Sequence, residues 1–355
     1  MDKNNGAIYD ARKLGKPKMI ILGVQHMFAM FGATILVPIL TGLDISTTLL
    51  MAGLGTLLFH CITKFKVPAF LGSSFAFLGG YAAIKAFSPN DPNSMLPYAC
   101  LGVACAGLIY FILAAVIKAV GIEKVMRFFP PVVTGPIIIA IGLGLAPSAV
   151  SNCTTNWFLA VVALAVIVVF NIWGKGMAKI IPIILGLLIS YGTGLVLYFI
   201  SQANPDLIQN VPWLFSGGAD ANGVYQPIFD FTSLNTICDN ISKGHIFGSE
   251  GLIGIPIHWD KTVFGGIDYS NGALIASSII AIVPIAFATM MEHIGDICAI
   301  SSTTGNNYIK DPGLHRTLVG DGLATTLASL FGGPANTTYG ENTGVLALTR
   351  VMTRE

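Results

Sequence analysis

Charge is what this sequence has least of. Asp, Glu, Lys and Arg supply 10% of its 355 residues, where an ordinary soluble domain carries about 25%. So few charges cannot wet the surface of a compact body of this size, which excludes a soluble globular protein. A concentrated basic face is also missing. The net charge is +1 and the basic residues are scattered, which gives no reason to invoke nucleic acid as a partner. The six cysteines form no C-x-x-C pair and no H-E-x-x-H is present, so neither a metal nor a cofactor is called for. The first apolar run is too long for a removed signal peptide and has no small-residue cleavage site.

What is there is apolar. Hydrophobic residues make up 54% of the chain, and the mean hydropathy of +0.73 points to a bilayer as the solvent. A membrane-crossing helix needs about 20 mostly apolar residues. Ten segments qualify: Met19–Leu40, Thr47–Ile62, Pro68–Ala86, Leu96–Val120, Phe128–Pro147, Trp157–Trp173, Ile180–Ile200, Ala273–Ile297, Leu314–Phe331 and a shorter one, Glu341–Met352. Assigning loops to alternate sides puts 16 of the 19 Lys and Arg on the side of the N-terminus and leaves only Lys85, Lys243 and Lys261 on the other. Cytoplasmic loops collect positive charge, so the N-terminus is expected in the cytoplasm.

The one long polar stretch, 201–271, then faces outside and is acidic, with Asp206, Asp220, Asp230, Asp239, Glu250, Asp260 and Asp268. Two readings are open for it, a solvated loop or a lid over the outer mouth. The cysteines read as small apolar residues, and Cys153 and Cys238, both in outer loops, are left as a pair that an oxidising compartment could join.

Ionisable groups in hydrocarbon are costly and usually face a cavity. Glu292 and Asp296 stand four residues apart in one predicted span, so a helix puts both carboxyl groups on one face, one turn apart. Glu341 follows a break in the tenth span. Desolvation and like-charged neighbours suit this group to proton exchange, the chemistry of a proton-coupled carrier; the alternative is hydrated acids near helix ends. For Asp321, read as close to a cytoplasmic end, the hydrated alternative is preferred. His26 and His293 are also intramembrane, where a histidine more often ties helices together than handles substrate.

Backbone breaks add a second line. Pro68 to Phe77 combines a proline, a glycine and two serines within an apolar segment, and Gly332 to Asn342 does the same much later. Both breaks begin Pro-Ala, and counting seven onward from Pro68 and Pro334 lands on Phe75 and Glu341. They open the third and tenth spans. A separation of seven spans gives the two copies opposite topology, the arrangement of an inverted-repeat transporter. Freed N–H and C=O groups must then be met by a paired extended segment or by a polar ligand. The half-helices point their positive N-termini at the site.

The run from Glu341 through Asn342, Thr343 and Gly344 to Thr349 and Arg350 fits the signature of the nucleobase–ascorbate transporter family, the nucleobase:cation symporters, at every fixed position. Gln25-His26, Gly72 to Phe77, Glu292-His293 and Asp311 to Arg316 resemble it too, and most closely its bacterial uracil permeases. The resemblance covers nearly the whole chain outside the long outer loop. It implies an all-α polytopic membrane protein of two inverted seven-span repeats with broken third and tenth spans, about ten of the fourteen spans lying in this sequence. Residues 1–127 (spans one to four) and 272–355 (spans eight to ten) would belong to a core domain, 128–200 (spans five to seven) to a gate domain, and 201–271 to the extracellular loop.

By the same resemblance Glu292 would accept from nucleobase ring N–H groups. Backbone N–H groups at Phe75 and Gly340 would bind ring carbonyls, with Ser74 and Tyr339 beside them. Glu341 would be a second substrate contact, protonated if it meets a carbonyl oxygen, and Asp296 would share the proton coupling with Glu292 and Glu341. His26, Asn342, Thr343 and Gly344 would support the site. The implied partners are uracil or a related nucleobase, a proton (with sodium as the other candidate ion) and the bilayer of a bacterial cytoplasmic membrane. A homodimer is left open.

Two departures bear on this. Asp296 stands where the best-known uracil permease pattern has a histidine, and related purine carriers resemble it there, which bears on the proton pathway more than on substrate binding; a xanthine or urate permease is the alternative within the family, and Glu341, in place of Gln, favours uracil. The chain also ends just after the tenth span, and read as C-terminally incomplete it is expected not to transport by itself. Outside the family, an anion carrier of similar fold conflicts with paired acids at the site. An intramembrane aspartyl protease conflicts with His293-Ile294-Gly295-Asp296 in place of Gly-x-Gly-Asp.

Overall fold

The structure, a computed structural model, describes residues 15–121, 123–124, 131–175, 178, 182–220, 222–232, 234–235 and 256–349. Cys238, Asp239, Lys243 and Glu250 lie outside them, as do the side chains of Gln25 and Glu341. The protein is mostly helical. In chain order come α1 (Lys16–Thr41), α2 (Ile45–Ile62), strand β1 (Leu71–Ser73), α3 (Leu78–Lys85), α4 (Leu96–Val120), α5 (Pro131–Cys153), α6 (Trp157–Trp173) and α7 (Pro182–Ala203). After a hairpin of β2 (Ser216–Ala219) and β3 (Tyr225–Pro227) follow α8 (Gly272–Ile282), α9 (Ile285–Thr304), α10 (Leu314–Leu330), β4 (Asn336–Thr338) and α11 (Gly340–Thr349).

A helix therefore lies under each segment read as a span, and α4 and α6 share their limits with the reading. Among the described residues, four helical stretches are long and apolar enough to cross a membrane: Ile45–Ile62, Pro92–Val120, Leu185–Ala203 and Gly272–Thr304. The last runs past the expected Ile297 to Thr304, where Gly305 in the left-handed region, φ 71°, ends the helix.

Local chemistry sets the ends. Asp44 caps α2 by accepting from the Thr47 N–H at 2.7 Å. Asn156 caps α6 by accepting from Leu159 N–H at 3.0 Å. Gly42 ends α1 in the left-handed region, φ 84°, its N–H returning to Pro38 O at 2.8 Å, a conformation cheap only without a Cβ.

The chain divides into two compact units, one from the described parts of Met1–Ile141 and Pro256–Glu355, the other from Gly142–Ile255. In the first, α4 packs on α10 and α8 through small residues. A Cβ on Gly107 would stand 2.7 Å from Gly322 O, and one on Gly322 would stand 2.6 Å from Gly107 O, so only glycine lets these backbones approach. Thr326 donates across the same contact to Ala104 O at 3.2 Å.

In the second unit, α6 and α7 pack around Gly186, whose Cβ would meet Ile167 and the Ala163 carbonyl. Ser190 donates to Leu159 O at 3.1 Å. Described parts of the polar stretch after α7 pack back on this unit. Asn156 donates to Ser216 O at 2.9 Å, and Phe229 and Phe231 lie against Tyr198, with ring centroids 6.1 and 5.3 Å away.

Candidate functional site

The two breaks pair with each other. Neither Pro68 nor Pro334 allows a continuous helix, and the residues that follow run extended: β1 and β4 form an antiparallel ribbon with Leu71 opposite Thr338, Gly72 opposite Thr337 and Ser73 opposite Asn336. The ladder continues at both ends through Tyr339 N–H to Phe70 O at 3.1 Å and Ser74 N–H to Ala335 O at 2.9 Å.

In such a ribbon alternate residues turn their backbone groups outward, and inside a protein those groups need partners. Threonines of the neighbouring helices supply them. Leu71 donates to Thr56 Oγ1 of α2 at 3.1 Å, and the same hydroxyl reaches Leu71 O at 3.2 Å. Thr325 of α10 donates to Asn336 O at 2.9 Å. Tyr339 donates to Ser73 O at 2.8 Å, and the Thr338 amide faces the Asp321 carboxylate. Leu71 and Asn336 thus play the same part on the two strands, which makes Gly340, not Glu341, the counterpart of Phe75. The proline count is off by one because hydrogen-bond parity, rather than distance from the proline, sets the register.

Past the ribbon each strand turns into helix. Phe75 opens a 3-10 turn leading into α3, and Gly340 is the first residue of α11. First-turn N–H groups have no intrahelical acceptor, so both ends are electropositive. Gly72 lets the Tyr339 ring lie across the ribbon, since a Cβ there would come within 2.3 Å of it.

The acids come from α9. Asp296 is buried, 8% exposed, and its Oδ1 lies 3.1 Å from where a Cβ on Gly340 would stand, against the start of α11. Its Oδ2 accepts from Thr338 Oγ1 at 3.0 Å. Glu292, one turn earlier on α9, is half-buried. Behind them His293 Nδ1 lies 3.0 Å from Asp321 Oδ2, both side chains fully enclosed, and 3.2 Å from Thr338 Oγ1.

That overturns the expectation for Asp321. It sits in the middle of α10, not near a hydrated end, because Gly320 lets Phe59 of α2 close over the helix and Gly322 admits Tyr110 of α4. His293 does tie helices together, as a histidine there is expected to.

Of the residues named from sequence, Ser74, Phe75, Tyr339, Gly340 and Asp296 gather at the two strand-to-helix junctions, with Glu292 on the helix alongside. Tyr339 spends its hydroxyl on Ser73 O and builds the ribbon. His26 and Asn342 instead line a mostly apolar groove of about 580 Å³ with His60, Phe70 and Leu346; Phe75, Glu292 and Asp296 are not among its lining residues. Thr343 is buried and Gly344 exposed on α11. Thr56, Thr325 and Thr338 were missed, and the signal available was threonine inside spans that flank a break. No cluster of three or more His, Cys, Asp or Glu able to hold a metal occurs among the described residues.

Comparison with known proteins adds to this geometry. The model of a permease family matches residues 17–355. The chain is 39% identical over 343 residues to the uracil permease of Bacillus caldolyticus, covering 94% of this chain and 67% of that protein. It is 37% identical over 346 residues to the uracil permease of Bacillus subtilis strain 168, with coverage of 94% and 67%.

Proposed function

The chain belongs to the permease family whose model spans residues 17–355, and from that premise we propose that it is a uracil permease, moving the base with a proton by alternating access. The observation that carries this reading is the junction of the paired breaks: two helix starts, at Phe75 and Gly340, open beside the acids of α9. A uracil ring presents carbonyl oxygens and N–H groups side by side. Backbone N–H groups at Phe75 and Gly340 suit the first, and Glu292 as a double acceptor suits the second. Glu341, next to Gly340 in sequence, is the second carboxyl, and Asp296 is the group through which a proton enters the site.

Spans one to four and eight to ten form the core that holds the base, a reading supported by the clustering of these segments in one compact unit. Spans five to seven contribute to the gate, and spans one to seven form one repeat whose inverted counterpart begins at span eight. The setting is a bacterial cytoplasmic membrane with the N-terminus inside. A xanthine or urate permease is the second reading, since purine carriers of the family resemble this chain at Asp296, a departure that bears more on the proton pathway than on the base.

A competition panel separates these. Purified chain in nanodiscs is incubated with radiolabelled uracil and challenged with unlabelled uracil, xanthine, urate or sulfate. Displacement by uracil at the lowest concentration is expected. Displacement by xanthine or urate at lower concentration selects the purine reading, and failure of every nucleobase to compete sinks both.

A further inference from the structure

Thr338 links two sets of buried ionisable side chains. On one side is the enclosed pair His293 Nδ1 to Asp321 Oδ2, 3.0 Å. On the other is Asp296, against the start of α11. The Thr338 hydroxyl oxygen lies 3.2 Å from His293 Nδ1 and 3.0 Å from Asp296 Oδ2, to which it donates. Four side chains from α9, α10 and β4 thus make one unbroken chain of polar atoms, leading from the fully enclosed His293–Asp321 contact to an acid at the junction. A hydroxyl carries one hydrogen and can turn it either way, so the direction of this link is set by which neighbour needs a donor.

We propose that Thr338 is a hydroxyl switch that ties protonation of Asp296 to the charge state of the His293–Asp321 pair. The proposal rests on the reading of the protein as a proton-coupled nucleobase carrier. With Asp296 ionised, the Thr338 O–H donates to it; His293 is doubly protonated, and its Nδ1–H donates to the Asp321 carboxylate. A proton arriving on Asp296 Oδ2 makes that oxygen the donor. Thr338 Oγ1 then accepts, and its own hydrogen turns to His293 Nδ1, whose proton passes to Asp321 Oδ2. One proton has entered and none has left. The ion pair has become a neutral histidine beside a neutral acid, and Asp296 is neutral too. In an enclosed, low-dielectric setting such arrangements are distinct states.

Among the described residues, these groups face the chain. Tyr110 of α4 lies within electrostatic range of Asp321 and Glu292, and its hydroxyl donates to Thr289 at 2.7 Å. Phe59 of α2 presents a ring at 6.4 Å from the His293 ring centre. Glu292 precedes His293 on α9, and the Glu341 side chain of α11 lies outside the described residues. His293 is the basic group beside Asp321, at 3.0 Å.

The test needs no ligand. The unmodified chain, Thr338→Ser and Thr338→Val are titrated in nanodiscs, following the His293 ring by nitrogen-labelled histidine NMR and carboxyl protonation by infrared spectroscopy. The ring signal is identified by its loss in His293→Asn. In the unmodified chain and Thr338→Ser the ring and the carboxyl band are expected to change with one shared midpoint. In Thr338→Val the two midpoints are expected to separate by at least tenfold in proton concentration. A shared midpoint in a folded Thr338→Val overturns the switch. Should that variant not fold, two distinct midpoints in the unmodified chain overturn it equally, and one shared midpoint that survives in Thr338→Ser supports it. Uracil added afterwards tests the carrier reading separately: no binding sinks that reading and leaves the titration result standing.

Discussion

The helices α6 and α10 are both 17 residues long, and they use their residues in opposite ways. Between its two tryptophans α6 is Val, Ile, Leu, Ala and Phe but for Asn171, and it has no fully buried residue. α10 carries Thr317, Gly320, Asp321, Gly322, Thr325 and Ser329, and all six are buried. Apolar content therefore marks the face a helix offers to lipid, while small and polar residues mark a helix enclosed by other helices. The helices that shape the junction, α9, α10 and α11, are rich in what a hydropathy scale penalises. Several of their polar groups have partners at the ribbon or between the helices: Thr325 donates to Asn336 O, Asp321 faces His293, and Asp296 accepts from Thr338.

Substitutions at the two helices sharpen this contrast. The largest effect is expected at Asp321→Ala, which strands His293 inside the protein. Breaking a buried pair by removing one partner costs about 3–5 kcal/mol, read as a fall in the thermal unfolding midpoint in detergent. An Asp321→Ala variant as stable as the parent would break the comparison at its strongest point. Next come Thr56→Val and Thr325→Val, which leave outward-facing backbone groups of the ribbon unpaired. Each should cost about 1–3 kcal/mol, Thr56→Val the more because both the N–H and the C=O of Leu71 rely on it. Faster amide exchange confined to residues 70–74 and 335–339 is the accompanying signature. The smallest effect belongs to α6. Val168, 43% exposed, replaced by Leu should change stability by no more than about 0.5 kcal/mol and leave uracil binding unchanged.

The segments that cross from apolar to polar sharply were legible in sequence. Leu96–Val120 and Trp157–Trp173 appear as helices with those limits, since nothing competes with a long apolar run flanked by turn residues. The positions of the two breaks were legible as well, because proline beside glycine within an apolar run leaves few helical options. Their pairing partner was not. Residues 71 and 338 are far apart in sequence, and a three-residue strand leaves no periodicity to read. Asp321 was misplaced because an acid some eight residues into a helix looks hydrated until one asks what Gly320 and Gly322 allow to approach it. The candidate site was legible as a set of residue types around the breaks. The threonines that satisfy the ribbon were not, since a threonine in a span reads as neutral until the backbone group it serves is known.

The central claim is that the paired breaks and the acids of α9 form the place where uracil binds. The most direct measurement is saturable binding of radiolabelled uracil to the purified chain, side by side with Glu292→Gln. The account predicts that the parent binds and that Glu292→Gln, which removes a charged double acceptor but keeps its shape, weakens binding by about tenfold to a hundredfold. Undiminished binding by Glu292→Gln would contradict it.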